Sequence, residues 1–429
     1  MKRKDVVLFM IVGTGFNADS EDAGFKLLAQ KLYSTINKIY PNYVVFFASD
    51  RSKNTIKYIE ELFKHENDEF VVGEDYEVVL INAIDDFNTC FEVFESKLWE
   101  LDMDITKEYQ IIMDYTSGTK TMSAAMACCG MFYTKDLISV GGDRSTGEVS
   151  AGTEIINYQN LYKIYDRLSL MRIRNYFNAN RFMPCIDILN QIVDLSIHKE
   201  SLLNLCKSYY YWDNMDLEKA YSYLTKVDIN QWEFLELKVK LEKNLNALGI
   251  IVNSRSENLK KCYVLASLIN NSKRKAADYK YDDAIARLYR SFELIAQIKL
   301  LKYGIVSSDI DVSALLEKNV SQDFIAYLEK MREDNKIRIG LTADFLLLNE
   351  LGDDLGKYYM ANENKIKNLT QKRNNSILAH GLDSQSKEDF DNFLAIVVDL
   401  ALKLDKDMKR FLNETEFAKF DLKLKFNQF

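Results

Sequence analysis

The first third of the chain carries short runs of consecutive apolar positions at 6–12, 43–48, 78–81, 111–113 and 137–140. Runs without polar alternation suit strands buried on both faces. Between them lie amphipathic segments at 24–39, 54–65, 90–101 and 121–132. Strand and helix alternating at this spacing predict a doubly wound parallel sheet. After about residue 158 the strand-like runs stop. Segments 161–197 and 202–248 read as helices, the latter with an aromatic-rich face of Tyr209, Tyr210, Tyr211, Trp212, Tyr221 and Tyr223. Such a cluster reads as core before it reads as a surface for stacking bases. Charge density then rises, with Lys273, Arg274 and Lys275 read as a solvated linker, and another long helix begins at Tyr281. The remainder is again all helix, with Asp383, Ser384 and Ser386 as punctuation before a last long helix from Glu388. The expected architecture is α/β plus all-α, in three parts: 1–158, 159–275 and 276–429.

Composition sharpens this reading. The 429 residues include only two prolines, where average usage of about 5% would give roughly twenty. Of the 16 glycines, ten precede residue 153, so loops that need unusual backbone are concentrated in the α/β part. The net charge of −8 excludes a basic nucleic-acid coat, although phosphate contacts are made by local patches and an acidic total permits them. The six cysteines form no CxxC pair, and no run reaches the roughly 18 apolar residues of a membrane span. A reduced, cytoplasmic protein is expected, with no membrane partner. The three histidines, His65, His198 and His380, are far apart and lack metal-ligand spacing, so no metal site is expected.

Two loops fall where an open parallel sheet places its ligands, outside the carboxyl ends of the strands. The first, after the run 6–12, reads Gly13, Thr14, Gly15, Phe16, Asn17, Ala18. It matches GxGxxA, and Asp50 ends the next strand as a ribose-binding acid would. The second, after 111–113, reads Asp114, Tyr115, Thr116, Ser117, Gly118, Thr119, Lys120, Thr121 and leads into a small-residue helix. Hydroxyls, a glycine, a lysine and free N–H groups at a helix start make a cradle for a polyanion. A threonine-capped strand-to-helix turn is the plainer reading.

Near the C-terminus, Ile366, Leu369, Arg373, Ile377 and His380 recur at steps of 3, 4, 4 and 3. If one helix runs through them, they share a face. Seven residues at about 100° each end roughly 20° short of two turns, so Arg373 and His380 would project the same way. Gly381 would end that helix. An arginine on an apolar stripe is costly unless a partner or wet pocket receives it. A satisfied core histidine beside a snorkelling arginine is the alternative.

With these motifs in hand, the chain resembles the CARF–HEPN ribonucleases associated with type III-A CRISPR systems, over all three parts. Arg373 to His380 fits the HEPN pattern of arginine, four to six residues, then histidine, with Asn374 directly after the arginine. The helix from Tyr281 to Glu293 is similar to the opening helix of that domain. Asp114 to Lys120 is similar to the ligand loop of CARF domains. The resemblance implies that Gly13, Thr14, Gly15, Phe16, Asn17, Thr116, Ser117, Gly118, Thr119 and Lys120 bind a cyclic oligoadenylate, hexa-adenylate favoured over tetra-adenylate, at a homodimer interface. It implies metal-independent cleavage of single-stranded RNA through the substrate's 2′-hydroxyl, with no cofactor, in antiviral defence. Arg373, Asn374 and His380 would be catalytic, and the CARF part would also cleave its own activator slowly, with Thr116 or Thr119 positioning it. Two rival readings stand beside this one: a sensor or adaptor without nuclease activity, and a dinucleotide-dependent oxidoreductase built on Gly13–Ala18 and Asp50.

Overall fold

The structure, a computed structural model, describes residues 5–15, 20–66, 69–102, 109–133, 135–143, 149, 152–159, 162–192, 199–231 and 234–421. The chain divides into two compact units, 1–168 and 169–429.

The first unit alternates strand and helix as the hydrophobic pattern predicts: β1 Asp5–Val12, α1 Glu21–Ile39, β2 Tyr43–Ala48, α2 Lys53–His65, β3 Tyr76–Leu80, α3 Phe87–Asp102, β4 Tyr109–Asp114, α4 Lys120–Phe132 and β5 Asp136–Gly141. A sixth strand, β6 Ile155–Gln159, follows. The sheet order is β3-β2-β1-β4-β5-β6, with the first five strands parallel and β6 antiparallel to β5. Along β1, Val7, Phe9 and Ile11 enter the core under α3 and α4, while Leu8, Met10 and Val12 enter the core under α1 and α2. Both faces are covered, which is why the run 6–12 is apolar without alternation. β6 escaped the sequence reading because it is an edge strand: Ile155 and Tyr158 are exposed and polar residues interleave. Chain direction across the sheet reverses between β1 and β4, so the loops after these two strands flank a topological switch point.

Among the described residues, the second unit contains helices and one small hairpin. Its helices are α5 Tyr162–Asn178 (begun in the first unit), α6 Phe182–Gln191, α7 Lys199–Asp213, α8 Leu217–Leu224, α9 Lys238–Asn253, α10 Glu257–Ala277, α11 Tyr281–Lys302, α12 Val312–Glu317 and α13 Gln322–Glu329. The hairpin β7 Arg332–Glu333 and β8 Lys336–Ile337 precedes α14 Leu341–Glu350, α15 Asp354–Ala361, α16 Glu363–Asn374, α17 Lys387–Leu404 and α18 Met408–Glu414. The all-helix expectation is thus corrected by that hairpin. Asp334 and Asn335 turn it with positive φ, a conformation these two residue types tolerate. The long predicted helices are also broken, at Asn180 and Met215, both in left-handed backbone.

One continuous core runs from Leu170 to Phe420. The chain after α18 returns to the earlier helices: Asn178 exchanges two bonds with the Phe420 backbone, at 2.7 and 2.8 Å, and the Tyr209 hydroxyl accepts from Ala418 N at 2.9 Å. Tyr209 and Trp212 are fully buried, as the core reading of that cluster predicts. The reading of Lys273–Lys275 as a solvated linker is corrected. These residues lie in α10, where Arg274 and Lys275 both bind Asp213, and Arg274 lies over the Phe417 ring at 3.7 Å. A buried carboxylate needs such partners to remain ionised.

Candidate functional site

The loops that follow β1, β2, β3 and β4 surround a cavity of about 760 Å³ within the first unit. Its floor is built by close approach of two loops. Gly13 N donates to Ser117 Oγ at 3.1 Å, and a Cβ on Gly13 would sit 3.1 Å from Gly118 N. Gly118 has φ +82°, and a Cβ there would lie 2.3 Å from Ile11 Cγ2. Only glycine satisfies both the backbone sign and the space.

Behind this floor Asp114 is 1% exposed. Its Oδ1 accepts from Thr116 N at 2.9 Å and from the Thr116 hydroxyl, while Oδ2 is buried without a partner. Burial pushes its carboxyl up to about 6, against the two bonds from Thr116. Thr116 Oγ1 accepts in turn from Val140 N at 2.7 Å, which ties the loop to β5. Thr119 caps α4 by accepting from Met122 N and donates to Ile84 O at 2.8 Å. Both threonine hydroxyls are therefore committed to the frame of the cavity.

Of the residues expected from sequence to bind ligand, Gly13, Thr14, Gly15, Thr116, Ser117, Gly118 and Thr119 line this one cavity. Phe16 and Asn17 lie outside the described residues. Lys120 is exposed as the first residue of α4 and is not part of the wall. Sequence reasoning missed the contribution of Ser49, Arg51 and Ser52 after β2, and of Asn82 and Ile84 after β3. The strand-end rule could have flagged them, because they too follow parallel strands. Asp50 lines the cavity as well, but its carboxylate pairs with Lys53 at 3.0 Å.

In the second unit, Arg373 and Asn374 are the last residues of α16, and His380 lies in the turn beyond it. The expectation of one helix running to His380 is corrected: α16 stops at Asn374. Ile366 and Leu369 are buried as the stripe requires, but Ile377 is 66% exposed. A turn, not a helix face, carries the chain from Arg373 and Asn374 back to His380. Ser376 N donates to Arg373 O, His380 N to Asn374 O at 3.0 Å, and Asp383 N to Asn375 O. Gly381 packs on the same carbonyl, where a Cβ would come within 2.1 Å of Asn375 O. Gly381 thus closes the turn instead of ending a helix.

The turn is anchored at its far side. Gln385 Nε2 donates to Lys372 O at 3.1 Å and Gln385 N to Asp282 Oδ2 at 3.4 Å. The Lys372 ammonium binds Asp389, which completes the capping box of α17 with Ser386. Arg373 is half-buried, with its guanidinium 4.3 Å from the centroid of the Tyr289 ring, and its Nη1 donates to Asn374 Oδ1 at 3.1 Å. Asn374 therefore acts on Arg373 itself. His380 is exposed. A guanidinium of fixed orientation and an exposed imidazole on the turn that follows it are groups of the kind that can hold a phosphoryl group and move a proton.

A strand-end cavity in a Rossmann-like unit, followed by helices that end in an Arg-Asn turn with a histidine, defines the CARF–HEPN class. The family model of the Csm6 6H domain matches residues 165–265, and that of the Csm6 HEPN domain matches 253–403. Together they span more than half of the chain, which belongs to the Csm6 family. Among solved structures, Enterococcus italicus Csm6 bound to cyclic hexa-2'-fluoro-hexa-dAMP is similar with a TM-score of 0.57 at 17% identity, over 96% of this chain and 98% of that one. At that identity the likeness shows the fold. Can2 from Sulfobacillus thermosulfidooxidans in complex with cyclic tetra-adenylate reaches a TM-score of 0.24 at 11% identity, over 53% of this chain and 69% of that one, and is too distant to carry an argument. No curated protein matches the chain.

Proposed function

We propose that this protein is a cytoplasmic homodimeric endoribonuclease that cuts single-stranded RNA without metal and is activated by a cyclic oligoadenylate bound in the first unit. The observation that carries the reading is the turn after Arg373 and Asn374 at the exposed end of α16, in which His380 N bonds back to Asn374 O. In the reaction, the 2′-hydroxyl of the substrate loses its proton and attacks the adjacent phosphorus, and the P–O5′ bond breaks. The leaving 5′-oxygen takes up a proton, giving a 2′,3′-cyclic phosphate and a 5′-hydroxyl. His380 serves as general acid or base, and Arg373, oriented by Asn374, neutralises the phosphorane oxygens. One chain supplies one imidazole and one guanidinium, so a two-fold copy completes the composite site.

The activator reading rests on the strand-end cavity, with its hydroxyls and backbone N–H groups, and on the family to which the chain belongs. The solved relative that shares the fold holds a cyclic hexa-adenylate analogue, and we favour the hexa-adenylate ring over the tetra-adenylate. The ligand regulates only by binding one dimer arrangement more tightly than another. Any slow ring cleavage in the first unit would use Thr116 and Thr119 as positioning groups, because their hydroxyls are bound to Asp114, Val140 and Ile84.

The test is cleavage of a fluorogenic single-stranded RNA in EDTA, with cyclic hexa- or tetra-adenylate added, beside His380→Ala. Ring-stimulated cleavage abolished by His380→Ala supports the proposal. Ring binding with no cleavage supports the adaptor reading instead, and loss of activity in EDTA alone refutes the metal-free route.

A further inference from the structure

Arg373 carries five N–H donors in one plane, and the orientation of that plane decides which of them meet a phosphate. Two contacts set it here. Asn374 Oδ1 accepts from Nη1 at 3.1 Å, and the face of the Tyr289 ring lies 4.3 Å from the guanidinium carbon. The Nε–H is buried without a partner, so no hydrogen bond at that end competes with the ring in setting the tilt of the plane. Tyr289 is half-buried on α11, the helix whose residues Phe292 and Ile295 stand in the core of the second unit. Its ring is therefore carried by a rigid element, while the Arg373 side chain, on an anchored helix end, still has the tilt of its guanidinium to be set.

We propose that Tyr289 is the positioning residue for Arg373: its aromatic face fixes the guanidinium plane so that the Nη edge is presented to the phosphoryl group. This rests on Arg373 being catalytic as proposed above. Stacking of a cation on a tyrosine face depends on the ring and not on the hydroxyl. The substitution series therefore separates a platform from a reacting group.

Steady-state cleavage of single-stranded RNA at saturating cyclic oligoadenylate is to be measured for Tyr289→Phe, Tyr289→Leu, Arg373→Lys, Arg373→Ala and Tyr289→Leu/Arg373→Lys, with thermal midpoints recorded alongside. Tyr289→Phe should keep kcat within about twofold, because the face remains. Tyr289→Leu should lower kcat about tenfold to a hundredfold, the scale of a misplaced catalytic group, with KM for RNA and the half-activating ring concentration unchanged. Adding Tyr289→Leu to Arg373→Lys should cost less than about twofold further, since the planar group that the ring orients is already gone. A kcat for Tyr289→Leu equal to wild type overturns the proposal. So does a Phe variant as poor as the Leu variant, or an undiminished Tyr289→Leu penalty in the Arg373→Lys background. If Tyr289→Leu unfolds, the Phe variant and the lysine background still decide, through Tyr289→Met in place of leucine. Cleavage surviving Arg373→Ala marks the failure of the catalytic reading itself and is distinct from these outcomes.

Discussion

The two units build their sites in opposite ways. In the first, the cavity is concave and made largely of backbone: loops from four parallel strands converge, glycines allow them to touch, and most of the hydroxyls face inward to hold the frame. In the second, the residues proposed as catalytic stand at the end of α16 and in the turn beyond it, half-buried or exposed. On the proposed reading, the cavity takes up the ring where two copies of the first unit meet. On the same reading, a turn that offers one arginine and one histidine would gain its chemistry by meeting a second copy. The proposed division of labour puts recognition where shape is enclosed and reaction where side chains stand open to a second surface.

The largest effect that would sharpen this comparison is confined to the turn. His380→Ala should reduce RNA cleavage by about a thousandfold, as loss of an acid or base does, while ring binding measured by calorimetry stays intact. A parallel loss of ring binding would break the separation of the units. Gly381→Ala should act in the same direction, lowering cleavage about a hundredfold, because a Cβ 2.1 Å from Asn375 O forces the turn open. Unchanged activity would show that the turn does not set the geometry.

The matching change in the cavity is Gly118→Ala. With φ +82° and a Cβ 2.3 Å from Ile11 Cγ2, it should cost about 2–3 kcal/mol of stability. It should also weaken ring binding about tenfold or more, so that cleavage needs more activator but reaches the same maximum. A lower maximum at saturating ring would mean that Gly118 also acts on catalysis.

The smallest expected effect on cleavage, read in stability instead, compares two buried acids. Burial pushes Asp114 up to about 6 and Asp344, on α14, up to about 7. A carboxyl raised in the folded state adds stability that is fully present below the ordinary carboxylate range near pH 4 and lost as the pH rises through the raised value. Asp344→Asn removes the charge. It should stabilise the fold at pH 8, by no more than about 4 kcal/mol, with a higher thermal midpoint, and the gain should vanish as the pH falls toward 4. A lower midpoint at both pH values would show that the carboxylate makes bonds the amide cannot replace. Asp114→Asn should gain less at pH 8, because Asp114 also accepts two bonds from Thr116.

The first unit was legible in sequence almost element by element. Its strands are buried on both faces, and burial of that kind writes itself as apolar runs such as 43–48. The edge strand β6 was not legible, because exposure at Ile155 and Tyr158 erases the pattern. In the second unit the existence of helices was legible but their ends were not. Asn180 and Met215 break long helical patterns through backbone sign, which no periodicity reports. The residues Arg373, Asn374 and His380 could be selected from their order alone. Their geometry could not, since the stripe from Ile366 to His380 fits one long helix as well as it fits a helix and a turn.

What the sequence determines by itself is the local chemistry: which segments can be strands or helices, where glycines permit tight loops, and which few residues could hold a polyanion or move a proton. These follow from side-chain type and spacing. What only the tertiary structure decided is which of those residues meet. Tyr289 lies 84 positions before Arg373, yet its ring comes against the guanidinium because α11 and α16 pack into one core. The end of α16 was decided in the same way, by Gln385 and Asp282 holding the chain that leaves it. Contacts between residues distant in sequence depend on how helices pack, and packing is a property of the whole core that no single stretch of chain encodes.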